Sequence, residues 1–245
     1  MNWIEPDWPA PGNVRALSTT RNGGLSEGVF AGLNLGAHVG DEPARVEANR
    51  TLLQQAAGIP GPLNWLNQVH GTAVHPVSRL YEGAPEADAA CAREAGLGCI
   101  VMTADCLPVL FCDRAGTVVA AAHAGWRGLQ GGVLEESIAA MGCEPGVILA
   151  WLGPAIGPAA FEVGGEVRDA FMAEQAEAAA AFVPSSSEGK WLADIYQLAR
   201  LRLARAGVTA VYGGEHCTFS DSERFYSYRR DGQTGRMASI VWLAP

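Results

Sequence analysis

The sequence predicts an α+β chain in which mixed, largely antiparallel sheets are layered with helices. Three observations lead there. Four stretches carry apolar residues at helical spacing, and seven short β-like runs lie between them. The two kinds of segment do not alternate strictly, as a doubly wound parallel sheet would require. Runs 109–112 and 117–122 follow each other with only a turn between them, which calls for a hairpin and antiparallel pairing.

Along the chain, a strand is expected at 14–19. A helix follows at 43–57, with Asp41 as candidate cap and Pro43 in the first turn. Strands are expected at 100–102, 109–112 and 117–122, then a helix at 129–141 and a strand at 147–152. The Ala-rich span 166–182 has helical character. In 191–206, Leu192, Ile195, Tyr196, Ala199 and Leu203 share one helical face and Gly207 stops the helix. Strands at 208–212 and 237–243 complete the set.

The chain has 245 residues, 49% hydrophobic and 18% charged, which suits a compact enzyme-sized unit. No compositional shift is long enough to be a linker; residues 184–189 are a loop between helical patterns. One domain over 1–245 is expected. The formal charge of −9 argues against duplex nucleic acid or an anionic membrane as partner, since both need clustered Lys and Arg. The amino terminus lacks a signal-peptide pattern, and the longest apolar stretch is broken by Pro154, Gly157 and Pro158. A cytoplasmic location is therefore expected, with all six cysteines (91, 99, 106, 112, 143 and 217) reduced. None forms a CxxC pair, so zinc-ribbon and thioredoxin readings fall away.

The hairpin brings the first chemistry into view. Asp113-Arg114-Ala115-Gly116 is a turn signal, and a two-residue loop there opposes Cys106 to His123 on one face, with β-carbons roughly 4.5–5.5 Å apart. A thiol and an imidazole at that spacing share a metal or a proton. A one-residue change of loop would separate their faces, and Pro108 interrupts the ladder near Cys106. His70, closing the polar run Asn67-Gln68-Val69-His70-Gly71, is the third candidate. Two imidazoles, a thiolate and one open position form the pattern of a catalytic zinc site. Residue type and spacing alone leave all three also readable as structural.

The segments NQVHG, TADCLPVLF, AAHAGWRGL, LGPAIGPAAFEVG and FYSYRRDGQTGRMASIVWL occur in this order. Together they closely resemble the laccase-domain or YfiH-like family, known both as polyphenol oxidases and as zinc-dependent purine nucleoside phosphorylases. The likeness runs from STTRNGG, at Ser18, to the carboxyl end. It implies a layered α-β-β-α sandwich and one zinc per chain held by His70, Cys106 and His123, with copper as an alternative metal. It also implies phosphorolysis of adenosine, inosine, guanosine or S-methyl-5′-thioadenosine, and deamination of adenosine to inosine. The partners are then purine nucleosides and phosphate.

Phosphate requires cations, and the candidates are Arg21, Arg127, Arg229 and Arg230, each of which has a surface ion pair as its ordinary alternative. Asp105 either orients a ligand or takes part in catalysis beside Cys106, and Gln68 either reads a purine edge or stabilises its turn. Glu162 is expected as a buried, partnered carboxylate, His38 and His75 as structural residues, and His216 as a candidate pocket residue. With five histidines (38, 70, 75, 123 and 216) and no His-x-His, a four-copper oxidase is chemically implausible, which leaves weak copper-dependent polyphenol oxidation. A cysteine hydrolase using Cys106 with His123 or His70 is the main rival, including an editing role on cell-wall precursors. A non-enzymatic binding module is the third class. The His-x-Glu and Pro-Cys-x-x-Cys of cytidine-deaminase sites are absent.

Overall fold

A computed structural model of the chain describes residues 1–78 and 83–245. Its strands are β1 (Trp3–Ile4), β2 (Val14–Thr19), β3 (Val74–Pro76), β4 (Ala89–Ala92), β5 (Gly98–Thr103), β6 (Leu107–Asp113) and β7 (Val119–Ala124). They continue as β8 (Ile148–Leu152), β9 (Glu162–Gly164), β10 (Phe182–Pro184), β11 (Lys190–Ala193), β12 (Ala210–Gly213) and β13 (Met237–Leu243). The helices are α1 (Pro43–Ala57), α2 (Trp126–Gly131), α3 (Val133–Met141), α4 (Gly165–Glu174), α5 (Ile195–Arg205) and α6 (Tyr228–Asp231).

Two sheets stack face to face. The larger has the order β12-β8-β6-β7-β4-β3 and the smaller β1-β2-β13-β5. Pairing is antiparallel except for β12 with β8 and β3 with β4. The period of two decides which core each residue joins. On β6, Leu110 and Cys112 enter the core between the sheets, where they meet Val101 and Val241, whereas Val109 and Phe111 face the helices. The outer core packs the larger sheet against Leu134, Ile138, Leu198 and Leu203 of α3 and α5. On the far side, Leu17, Ile100 and Ile240 of the smaller sheet meet Leu53 of α1. The result is the α-β-β-α layering that the family resemblance implied, with the mixed, mainly antiparallel sheets that the segment order predicted. Among the described residues no helix is long and apolar enough to cross a membrane.

Three predicted helices are shorter or divided. Gly132, at φ +105°, separates α2 from α3 within the expected 129–141 segment. Gln175 is extended, so 166–182 becomes α4 followed by a 3-10 stretch, Ala176–Ala181, that turns Ala178 and Ala181 into the core. Asp194 accepts the Gln197 amide and starts α5 there, leaving Trp191 and Leu192 to pair with β9 and β10 in a small third sheet. In α1, Pro43 follows Glu42 at the cap position, and Asp41 instead accepts the Glu42 amide, Ser26 and Asn34.

The β6–β7 hairpin forms, but with a wider loop than the turn signal suggested. The Asp113 carboxylate accepts the Thr117 amide and hydroxyl, both at 2.7 Å, and the Val118 amide at 3.1 Å. Thr117 is thereby held in the loop, and Pro108 rather than Cys106 opposes His123. The register is displaced by two residues. An even displacement preserves the face, so Cys106 and His123 still project to the same side.

Candidate metal centre

Cys106 stands just before β6, after Asp105, whose φ of +96° is rare outside glycine. Three donors hold that backbone. The Asp105 carboxylate accepts the hydroxyls of Thr218 at 2.6 Å and Ser227 at 3.0 Å, and the Arg229 amide at 2.6 Å. Asp105 thus ties the turn before Cys106 to the start of α6. With both oxygens engaged, the geometry supports the orienting alternative over direct chemistry.

His123 lies near the end of β7, and His70 lies on the loop before β3 at φ +61°. Both depend on Asp88, which is fully buried. Its carboxylate accepts the His123 Nδ1 proton at 2.7 Å and the amides of Val69, His70 and Gly71 at 3.1, 2.9 and 2.7 Å. One side chain therefore fixes the tautomer of one imidazole and the strained backbone of the other. With Nδ1 engaged, Nε2 of His123 remains for a ligand. Asp88 was missed in the sequence; its only signal is a lone carboxylate in the small apolar run Ala87 to Ala92.

Among the described residues, one group of His, Cys, Asp and Glu donors could hold a metal ion: His70, Cys106 and His123, whose ligand atoms all lie within 4.8 Å of one another. Cys106 Sγ is 3.8 Å from His70 Nε2, and the two rings meet edge to face with centroids 4.8 Å apart. Donors around tetrahedral zinc stand about 3.3–3.8 Å apart, so the set fits with a small contraction. Burial alone would push the Cys106 thiol up. The His123 imidazolium and hydrogen bonds from both histidines instead bring it down to about 6. For His123, burial opposes the charge, while the Cys106 thiolate and Asp88 raise it. The protein thus prepares a thiolate, the form that binds metal.

Gly125, at the start of α2, is the second residue missed. A β-carbon there would lie 2.9 Å from both Cys106 Sγ and His70 Cδ2. Its φ of −60° suits any residue, so space alone demands glycine. Gly125→Ala is expected to lower bound metal per chain by about tenfold or more while thermal stability changes little. Metal analysis beside a melting curve checks this; full occupancy would refute it.

The triad opens into a cavity of about 520 Å³, whose lining includes Gln68, Asp105, Arg127 and Arg229 together with His38, Phe161, Tyr228 and Arg236. That volume accommodates a nucleoside. Arg127 is exposed and stacks on Trp126 with 4.4 Å to the ring centre. The Nη1 of Arg229 donates to the Glu162 carbonyl at 2.9 Å.

The other expectations change. The amide of Gln68 brackets Met102, donating to its carbonyl at 2.8 Å and accepting its N–H at 2.7 Å, so it secures the strand and does not point free toward a base. Arg21 does not line the cavity: it lies over the Tyr226 ring and donates to the Ser222 carbonyl. Arg230 donates to the carbonyls of Thr218, Phe219 and Phe225, a local structural role. Glu162 accepts the Ser185 hydroxyl and is partnered as expected, but it is only half-buried because it lies on a strand of the small third sheet near the surface. His38, read as structural, reaches the cavity, whereas His216 lines a different one with Cys217. Arg236 and Tyr228 are also there, from a segment noticed for its resemblance and not for these side chains.

Residues 15–244 match the family model described as multi-copper polyphenol oxidoreductase laccase. The chain is 58% identical over 243 residues to a purine nucleoside phosphorylase of Pseudomonas aeruginosa, covering 98% of each. It is 57% identical over 240 residues to the purine nucleoside phosphorylase YfiH of Escherichia coli, again covering 98% of each. The crystal structure of a Neisseria meningitidis protein superposes with a TM-score of 0.96 at 56% identity, over 100% of both chains. That of YlmD from Geobacillus stearothermophilus gives 0.94 at 32%, covering 100% of this chain and 97% of the other.

Proposed function

We propose, from the premise that this chain belongs to the laccase-like family of YfiH, that residues 1–245 form one zinc-dependent purine nucleoside phosphorylase domain. The observation that carries the reading is the convergence of His70, Cys106 and His123 on a nucleoside-sized cavity that also holds arginines. The names of close relatives support the same reaction class. The substrates are adenosine, inosine, guanosine and S-methyl-5′-thioadenosine with inorganic phosphate.

In this reaction a phosphate oxygen bonds to the ribose C1′ as the bond from C1′ to the purine nitrogen breaks. The electron pair passes to that nitrogen, which takes up a proton as the base leaves. A zinc ion in the triad supplies Lewis-acid polarisation of substrate or water, which suits deamination of adenosine as a second activity. Cys106 brings its negative charge to the triad, and His123 is oriented by Asp88. Arg127 and Arg229 bring positive charge to the walls, where phosphate is attracted despite the acidic chain. Phe161 and Tyr228 offer aromatic faces to a purine.

The test pairs metal analysis with chromatography of adenosine in the presence and absence of phosphate. About one zinc per chain and phosphate-dependent release of adenine are expected; inosine formed without phosphate marks deamination. A second reading, a cysteine hydrolase, draws on the lowered Cys106 thiol beside His123. It prevails if purified protein carries no metal and hydrolysis still depends on Cys106.

A further inference from the structure

Arg236 is the cavity cation that local structure explains least. Its Nη1 donates to the Thr234 and Gly235 carbonyls at 2.9 and 3.1 Å. Among the described residues, no carboxylate forms an ion pair with it, in contrast to Arg45, Arg202 and Arg224. The anionic side chains that act on it are Cys106, Asp105 and Tyr228 when ionised, and Asp105 is already bound by three other donors. A half-buried guanidinium with no carboxylate in direct contact is stabilised by an anion that enters beside it.

The fold invests several contacts in placing this group. Leu35 N–H donates to the Arg236 carbonyl at 3.2 Å, and Arg236 N–H donates to the Asn34 side chain at 2.9 Å. Gln233 reaches the Val39 carbonyl at 3.1 Å. The loop carrying His38 is thus zipped to the segment carrying Arg236. A β-carbon on Gly36 would come within 2.7 Å of the Arg236 stem, so the loop packs directly on it. Asn34 is itself fixed by Asp41 at 2.8 Å and by Asn49, which donates to its carbonyl at 2.9 Å. Burial, and then the positive neighbours Arg236, Arg50 and His123, hold the His38 imidazole below its ordinary range, so it faces the cavity as a neutral hydrogen-bonding group. Arg236 brings a positive charge to this edge of the cavity in a chain of net charge −9.

We propose that Arg236 and His38 form the oxyanion subsite that receives the phosphate co-substrate beside Cys106 and His123. The assignment rests on the phosphorylase reading and adds specificity-determining residues to it. Arg127 is exposed, and Arg229 spends its Nη1 on the Ala160 and Glu162 carbonyls; Arg236 likewise commits only its Nη1, and it is the cavity arginine that the His38 loop packs on and holds in place.

The test uses the metal-loaded enzyme with inorganic phosphate as probe. Arg236→Gln is expected to raise KM for phosphate by about tenfold or more, with Arg236→Lys recovering part of the loss and His38→Ala giving about threefold. KM for inosine and the metal content should move less than about twofold. Phosphate should raise the melting temperature of the wild type and do so much less in Arg236→Gln. An unchanged phosphate KM and an unchanged phosphate-induced shift, with metal retained, would overturn the proposal. Should Arg236→Gln fail to fold, the exposed His38 and the lysine variant carry the same comparison. Absence of phosphate-dependent base release in the wild type defeats the proposed function alone, because the melting shift still decides the subsite.

Discussion

Replacing Cys106 with serine is expected to strip the chain of its metal and, with it, at least about a thousandfold of its activity. The reason is charge as much as geometry. The native thiol is brought down to about 6 by His123 and by hydrogen bonds from both imidazoles, so it is largely a thiolate near neutral pH. A serine hydroxyl in the same place stays neutral and is a poor zinc ligand. Two imidazoles remain, one of them needed in its neutral form although Asp88 still favours its protonation. In the native chain, metal must displace that proton, so uptake near neutral pH is expected to release about one proton per ion from His123. Metal content, turnover and proton release by calorimetry in buffers of different ionisation enthalpy check the prediction together. A serine variant that kept both its metal and its turnover would refute the triad as ligands. One that held no metal in either form yet lost activity would instead identify Cys106 as a nucleophile.

The layered fold was legible because its signals are local. β2 and β13 show uninterrupted β-like runs, and β6 and β7 alternate between two cores without charged interruptions until their ends. Those ends are where the chemistry lies, and there local rules gave way. The hairpin register depended on the carboxylate of Asp113 capturing Thr117, a contact that no turn propensity encodes. The strands β3 and β4 were missed because Ala-Ala-Cys-Ala has little β propensity and is held in the sheet by β7 on one side. With β4 went Asp88, whose importance comes from what surrounds it after folding.

Residue types announced the ligands but not their supports. His70, Cys106 and His123 belong to residue classes that bind metals, so pattern alone raised them. Gly125 works by having no side chain, and its value appears only when Cys106 and His70 close on it. Gln68 and Arg21 carried plausible substrate chemistry, yet each is occupied by a long-range partner, Met102 and Tyr226. Arg236 is the converse case. It sits in a segment already prominent for its two preceding arginines, and only the packing of the Asn34 to Val39 loop distinguishes it from them.

Asp88→Asn is expected to weaken metal binding by roughly 10–100-fold and to destabilise the fold by about 2–4 kcal/mol. The substitution preserves volume, so packing is not at issue. What changes is acceptor capacity, because the native carboxylate accepts from His123 and from three successive backbone amides, and an asparagine has one carbonyl oxygen for all four. Its NH₂ group would face at least one N–H donor in a site with no exposed surface. Two consequences follow at once. The left-handed backbone at His70 loses the contacts that hold it at φ +61°, and His123 loses the anion that fixes its Nδ1 proton. Asp113→Asn is the matched control. Asp113 is another buried carboxylate, accepting from Thr117 and Val118, but at the turn end of the hairpin and away from the triad. Both variants should melt earlier than the wild type, and chelator competition on folded protein should show weaker metal binding only in Asp88→Asn. Equal metal affinity in the two would mean that Asp88 supports the fold alone, and that the triad keeps its geometry by packing.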